Sequence, residues 1–248
     1  MSELTQTLST YRIWQKKLVE WKEDLLHLIY PNTCLICSCE TTDKQIQVCH
    51  LCETSLHYTH FETFLGDTNL DKLFWGRKQL TATFALLYFE KENSTQTLLH
   101  AIKYGNNKRL AFEFGKRLGK KLTSLEKFNS LEALIPIPLH PKKLFLRGYN
   151  QSLLIANGIS EHTNIPVIEK GIHRIKHSDS QTKKGRFKRW ENVQQTFSIQ
   201  TKVLRDYQHI AIVDDVVTTG ATIESFIQEL QTTLPNLKIS VLTLALAK

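Results

Sequence analysis

The run Ile210-Ala-Ile-Val-Asp-Asp-Val-Val-Thr-Thr-Gly-Ala-Thr222 constrains this chain more than any other stretch. Ile210 to Val213 are apolar and mostly β-branched, as in a strand buried on both faces. Asp214 and Asp215 follow at its carboxyl end, where open α/β sheets bind ligands. Thr218, Thr219, Gly220, Ala221 and Thr222 then open a helix with small and hydroxyl-bearing side chains. That opening offers free backbone N–H groups, three hydroxyls and the positive end of a helix dipole to one phosphate. Gly220 lets the backbone approach closely. The two carboxylates upstream can accept hydrogen bonds from a pair of vicinal hydroxyls, so a sugar phosphate satisfies both halves. Two other readings stand beside this one. An apolar strand ending in Asp-Asp also suits the magnesium-binding strand of a nucleotide hydrolase, although no GxxxxGK[ST] occurs in the chain. Alternatively the acids form a turn and the threonines cap a helix.

The rest of the chain shows where this loop belongs. From about Thr81, strand-like and helix-like runs alternate. Strands are expected over 81–89, 133–137, 196–200, 209–213 and 239–245. Helices are expected over 93–104, 108–121, 151–163 and 222–233. This alternation predicts an α/β fold with a mostly parallel sheet covered by helices on both faces. Ahead of it, Trp14, Leu18, Trp21, Leu25, Leu28 and Ile29 share one face at helical spacing, which predicts an amphipathic helix ended by Pro31. The expected organisation is that helix within 1–31, a small module over 32–58, a connector over 59–80 and the α/β domain over 81–248.

The small module holds every cysteine. Cys34-x-x-Cys37 and Cys49-x-x-Cys52 are two pairs whose four thiolates suit a tetrahedral zinc site. A stretch this short buries too little core to stand without a metal or a disulfide. No secretory signal and no apolar run of about 20 residues is visible, so the chain is expected to be cytoplasmic, where structural disulfides are rare. Nothing nearby supplies a general base, so the zinc is read as structural. Cys39 is a fifth, supernumerary cysteine.

A formal net charge of +8 favours anionic partners: nucleic acid, phosphorylated metabolites or an acidic membrane face. The basic residues gather at 116–121, 142–147 and 183–189. The second cluster lies in Leu134-Ile-Pro-Ile-Pro-Leu-His-Pro-Lys-Lys-Leu-Phe-Leu-Arg-Gly-Tyr-Asn-Gln151, a strand leaving into a proline-punctuated basic turn. The residues themselves fit an anion site or a solvated loop equally well.

Together these motifs resemble a known family. VDDVVTTGAT is similar to the loop of type I phosphoribosyltransferases that binds phosphoribosyl diphosphate (PRPP). PIPLHP followed by RGYNQ resembles the ComF family, whose members carry RGFNQ there and an amino-terminal four-cysteine module. The resemblance implies a type I phosphoribosyltransferase fold preceded by a zinc ribbon. It implies ribose contacts by Asp214 and Asp215, a 5-phosphate held by residues 218–222, and Mg2+ on the diphosphate. It makes His140, Lys142, Lys143 and Arg147 candidates for the diphosphate. Arg174, Lys176, Gln181 and Arg189 match the family's spacing in a hood that closes over that group, although the leucine after the glutamine is replaced by Thr182. Lys103-Tyr-Gly105 matches another family signature without a legible role. The family serves bacterial natural transformation, which implies single-stranded DNA as partner. The basic residues Lys183, Lys184 and Arg186 are candidate contacts for it, with the aromatics Tyr149 and Trp190 available to stack. The resemblance also implies a competence helicase and DNA-processing proteins as partners, at the inner face of the membrane. Two other readings are a metabolic phosphoribosyltransferase with a nitrogen acceptor and a pure nucleic-acid-binding module with a vestigial loop, the intact acid pair arguing against the latter. Purine-salvage relatives carry a carboxylate where this chain has Thr218.

Overall fold

A computed structural model describes residue 21 and residues 31–41, 47–175 and 196–248. The chain divides into two compact units, 1–55 and 56–248. The first contains a tight turn at Cys34–Cys37 and helix α1 (His50–Thr54). Of the expected amino-terminal helix, only Trp21 is described, and it is helical.

The second unit runs α2 (Asn69–Phe74), β1 (Ala82–Phe89), α3 (Ser94–Tyr104), α4 (Lys108–Leu122) and β2 (Ala133–Pro136). It continues with α5 (Pro141–Arg147), α6 (Gln151–Thr163), β3 (Ile172–Arg174), β4 (Phe197–Ile199), β5 (His209–Val217), α7 (Ala221–Thr233) and β6 (Lys238–Ala247). Strands β1, β6, β5 and β2 lie in that order, every pair parallel, and helices flank them. β3 and β4 make a separate antiparallel ribbon. The parallel α/β class expected from the alternation is the class observed.

Apolar burial explains the order. Every residue of β6 from Ile239 to Leu246 is buried, as are Ile210 to Val213 of β5. β5 runs four residues past its sequence-predicted end, through Val217. Asp is a poor strand former, but the long apolar β6 pairs with Asp214, Val216 and Val217 through Thr243, Ala245 and Leu246. The partner strand overrides local preference. Behind the sheet, α4 and α6 meet almost backbone to backbone. A Cβ at Gly158 would overlap the Phe112 carbonyl oxygen, and one at Gly115 would overlap that of Ile155. This seat fixes α6, whose first turn reaches the end of β5.

Two stretches take firmer form than the sequence suggests. In 59–80, Thr68 and Asp71 cap α2 reciprocally, and Asp71 also accepts a 2.7 Å hydrogen bond from Thr83 of β1. The proline-punctuated turn after β2 is helical: His140 caps it, Pro141 takes the first position, and Gly148 ends it at φ 74°.

Candidate phosphate loop and metal centre

β2 stops at Pro136, opposite Val213 of β5. Asp214 therefore emerges one residue beyond the edge of its neighbour, with room beside it. Its Oδ1 accepts a 3.1 Å hydrogen bond from Ser152 Oγ, at the start of α6, and a 2.9 Å bond from the Asp215 amide. Asp215 is buried, and its Oδ2 lies 3.3 Å from Lys103 Nζ on the last turn of α3. Burial, and then the neighbouring Asp215, push the Asp214 carboxyl up to about 7, against the pull of its hydrogen bonds and of Lys103. Arg174 at the end of β3 feels Asp214 as a stabilising charge, while burial pulls its own pKa down.

After Val217 the chain turns through Thr218 and Thr219, both exposed, to Gly220 at φ 78°, which opens α7. Residues 216–223 and Asp214 enclose a small polar hollow of about 40 Å³. The connector packs against the loop: a Cβ on Gly220 would sit 3.0 Å from a Phe74 ring carbon and 3.4 Å from Leu73. The hollow thus has a carboxylate at one end and an uncapped helix N-terminus at the other. Beside Pro136 a larger groove of about 470 Å³ opens, mostly apolar, with Asn150, His173 and Arg174 on its walls.

In the small unit, the four sulfurs of Cys34, Cys37, Cys49 and Cys52 lie within 4.8 Å of one another, and Cys37 and Cys49 are 3.7 Å apart. Zinc–sulfur bonds of about 2.3 Å in a tetrahedron put sulfurs about 3.8 Å apart. The cluster can hold a metal ion of that kind. The backbone prepares it: Ile36 and Cys49 amides point at Cys34 Sγ at 3.5 and 3.3 Å. Burial works to raise the Cys34 thiol, but backbone hydrogen bonds outweigh it and bring it down to about 6, while burial pushes Cys52 up. Cys39 is exposed and outside the cluster; its carbonyl accepts the Cys34 amide at 2.8 Å.

No family model matches the chain. Curated proteins do. Competence protein F of Haemophilus influenzae is 37% identical over 93 residues, covering 37% of this chain and 41% of that protein. DNA utilization protein YhgH of Shigella flexneri is 26% identical over 199 residues, covering 79% of this chain and 82% of that one. The protein of the same name from Escherichia coli K12 is 25% identical over the same length. The chain is homologous to competence protein F and to the YhgH proteins.

The structure places the remaining ComF-like residues unevenly. Arg174 stands near Asp214, as above. Lys142 and Lys143 lie on α5, Lys142 exposed, and His140 Nδ1 accepts the Lys142 amide at 3.2 Å. Arg147 rests over the Tyr104 ring, 5.3 Å from its centroid. Tyr149 corrects an expectation: it is buried, and its hydroxyl donates to the Ile102 carbonyl, so it presents no face to a base. The exposed aromatic of that segment is Phe145, with Leu146 beside it. Lys176, Gln181, Lys183, Lys184, Arg186, Arg189 and Trp190 lie outside the described residues. Among the described residues no helix is long and apolar enough to cross a membrane. Lys103, Ser152 and Phe74 are the site residues that sequence reasoning left without a role. For Lys103 the Lys-Tyr-Gly signature was the only signal.

Proposed function

We propose that this chain is a DNA-uptake or DNA-utilization factor that binds the ribose 5-phosphate portion of PRPP at the carboxyl end of β5 and single-stranded DNA through its basic segments. The observation that carries the first half is the hollow itself: a carboxylate partly out of water at one end, and the N-terminus of α7 with three threonine hydroxyls at the other. Asp214 and Asp215 accept hydrogen bonds from the two ribose hydroxyls, and Thr218, Thr219, Gly220, Ala221 and Thr222 hold the phosphate. His140, Lys142, Lys143, Arg147, Arg174, Lys176, Gln181 and Arg189 are the groups assigned to the diphosphate. Mg2+ bound with that group would supply charge neutralisation to it. A basic hood performs the same service electrostatically if a nitrogen acceptor attacks the anomeric carbon. Zn2+ is the ion assigned to Cys34, Cys37, Cys49 and Cys52.

The names of the relatives support the second half, since both speak of competence or DNA utilization. On α5, exposed Phe145 beside Lys142 and Lys143 fits a strand that offers both phosphates and stackable bases. Lys183, Lys184 and Arg186 are further contacts in this reading. Calorimetry with PRPP and Mg2+ tests the sugar-phosphate half: saturable binding is expected, lost in Asp214→Ala plus Asp215→Ala. A folded double variant that binds as the parent does removes the ribose role. Absence of single-strand binding at low salt leaves a metabolic phosphoribosyltransferase as the better reading.

A further inference from the structure

The acid pair has a third member. Two carboxylates side by side in a site mostly removed from water cannot both stay ionised unless a cation offsets one of them. Lys103 is placed to do this, 3.3 Å from Asp215, with the two side chains 19% and 10% exposed. Its position is set by neighbours from another part of the chain. Tyr149 donates its hydroxyl to the Ile102 carbonyl, and the Arg147 guanidinium covers the Tyr104 ring at 5.3 Å. Gly105 closes the turn by donating to the Ala101 carbonyl at 2.9 Å, and a Cβ there would sit 2.9 Å from that same oxygen. Lys-Tyr-Gly and Arg-Gly-Tyr-Asn-Gln are therefore two halves of one clamp. The second half continues into Asn150, which donates to the Ile137 carbonyl at 3.0 Å, and Ser152, which donates to Asp214.

We propose that Lys103 is a positioning residue of the sugar-phosphate site: it pins Asp215 and offsets its charge, so that Asp214 presents an ionised carboxylate to the ligand. This rests on the ribose 5-phosphate reading above. The two acids have unequal parts in it. Asp214 lines the hollow, whereas Asp215 is buried beside Lys103. Among the described residues, charged and polar groups face the pair from three elements: Lys103 on α3, Ser152 on α6 and Arg174 on β3. Loss of the α3 cation leaves Asp215 acting on Asp214 with one fewer opposing charge. The pair then holds a proton at neutral pH, and an acceptor for a ribose hydroxyl is lost. A purely structural lysine predicts something different, a weaker site whose pH dependence is unchanged.

The test is calorimetric titration of the full chain with ribose 5-phosphate at pH 7 and pH 8.5, an interval over which the ligand's phosphate, with a second pKa of about 6, changes charge by only about a tenth. The parent should gain about twofold in affinity across that interval, as a carboxyl titrating near 7 requires. Lys103→Met should bind at least about tenfold more weakly at pH 7 and recover more than about fivefold by pH 8.5. Lys103→Arg keeps the charge and should keep the parent's pH profile, which also covers the case in which the methionine variant does not fold. Parent-like affinity and slope in Lys103→Met, or a shifted slope in Lys103→Arg, overturns the proposal and leaves the sugar-phosphate reading standing. A parent that binds no ribose 5-phosphate at either pH overturns both.

Discussion

The four-cysteine unit and the phosphate loop both gather backbone amides around a site for an ion, yet they are held in opposite ways. Among the described residues of 1–55, the buried hydrophobic ones are Cys34, Val48 and Cys52, so two of the three are members of the cluster itself. The loop at 214–222 instead rests on a sheet whose central strands are buried over His209–Val213 and Ile239–Leu246, on Phe74 against Gly220, and on α6 seated against α4 through two glycines. In the small unit a cluster able to hold a metal ion stands where a core would be. In the large unit the core pre-forms a site that no ligand has to build. Structural zinc is therefore expected to contribute folding energy outright, while a sugar phosphate contributes only its binding energy.

The largest effect should follow from breaking the first arrangement. The parent should carry about one Zn2+ per chain. Cys34→Ser should release it, and the apparent stabilisation at stake is about 10–16 kcal/mol for a structural site near neutral pH. Native mass spectrometry reads the loss directly. A folded, metal-free parent contradicts the comparison.

The second arrangement predicts a trade of stability for binding. A carboxyl whose folded pKa is raised contributes stability below its unfolded value and loses it as pH rises through the folded one. For Asp214 that window runs from 3.8 to about 7. Asp214→Asn should therefore raise the melting temperature at pH 8, with a gain that shrinks toward pH 4, while weakening ribose 5-phosphate binding by at least about tenfold, the loss of one charged hydrogen bond. A melting temperature that falls equally at both pH values means the acid is structural.

Much of this was legible beforehand, and the exceptions have physical causes. Periodicity placed α3, α4, α6 and β1 to within a residue or so, because their apolar faces meet the core at regular spacing. The end of β5 was hidden because β6, not its own residues, extends it. The Cys-x-x-Cys pairs were readable because their spacing is the site, and the four sulfurs do converge. Lys103–Asp215 and Phe74–Gly220 were not, since each contact joins segments far apart in the chain and neither side carries a local pattern that names its partner. Tyr149 misled for the same reason: an aromatic among basic residues resembles a stacking platform until a carbonyl from α3 is found to hold its hydroxyl.

A smaller effect sharpens the nucleic-acid half. Replacing Lys183, Lys184 and Arg186 with alanine should weaken single-strand binding and flatten its salt dependence by about 2 in slope, at roughly 0.7 per phosphate contact. Filter binding at several salt concentrations measures this, and an unchanged slope assigns these residues to the diphosphate alone. The smallest effect belongs to Cys39→Ser, which should keep the metal and the fold, since that thiol lies outside the cluster. Loss of the ion there would mean the four-sulfur assignment is wrong.

The most direct measurement is hydrogen–deuterium exchange followed by mass spectrometry on the full chain, run with a strong chelator and separately with PRPP and Mg2+. The account predicts that the chelator deprotects peptides within 32–55 and leaves those covering 209–223 as they were. It predicts that PRPP slows exchange at 214–222 and does nothing to the cysteine peptides. Deprotection of 209–223 by the chelator, or no protection of 214–222 at saturating PRPP, contradicts it.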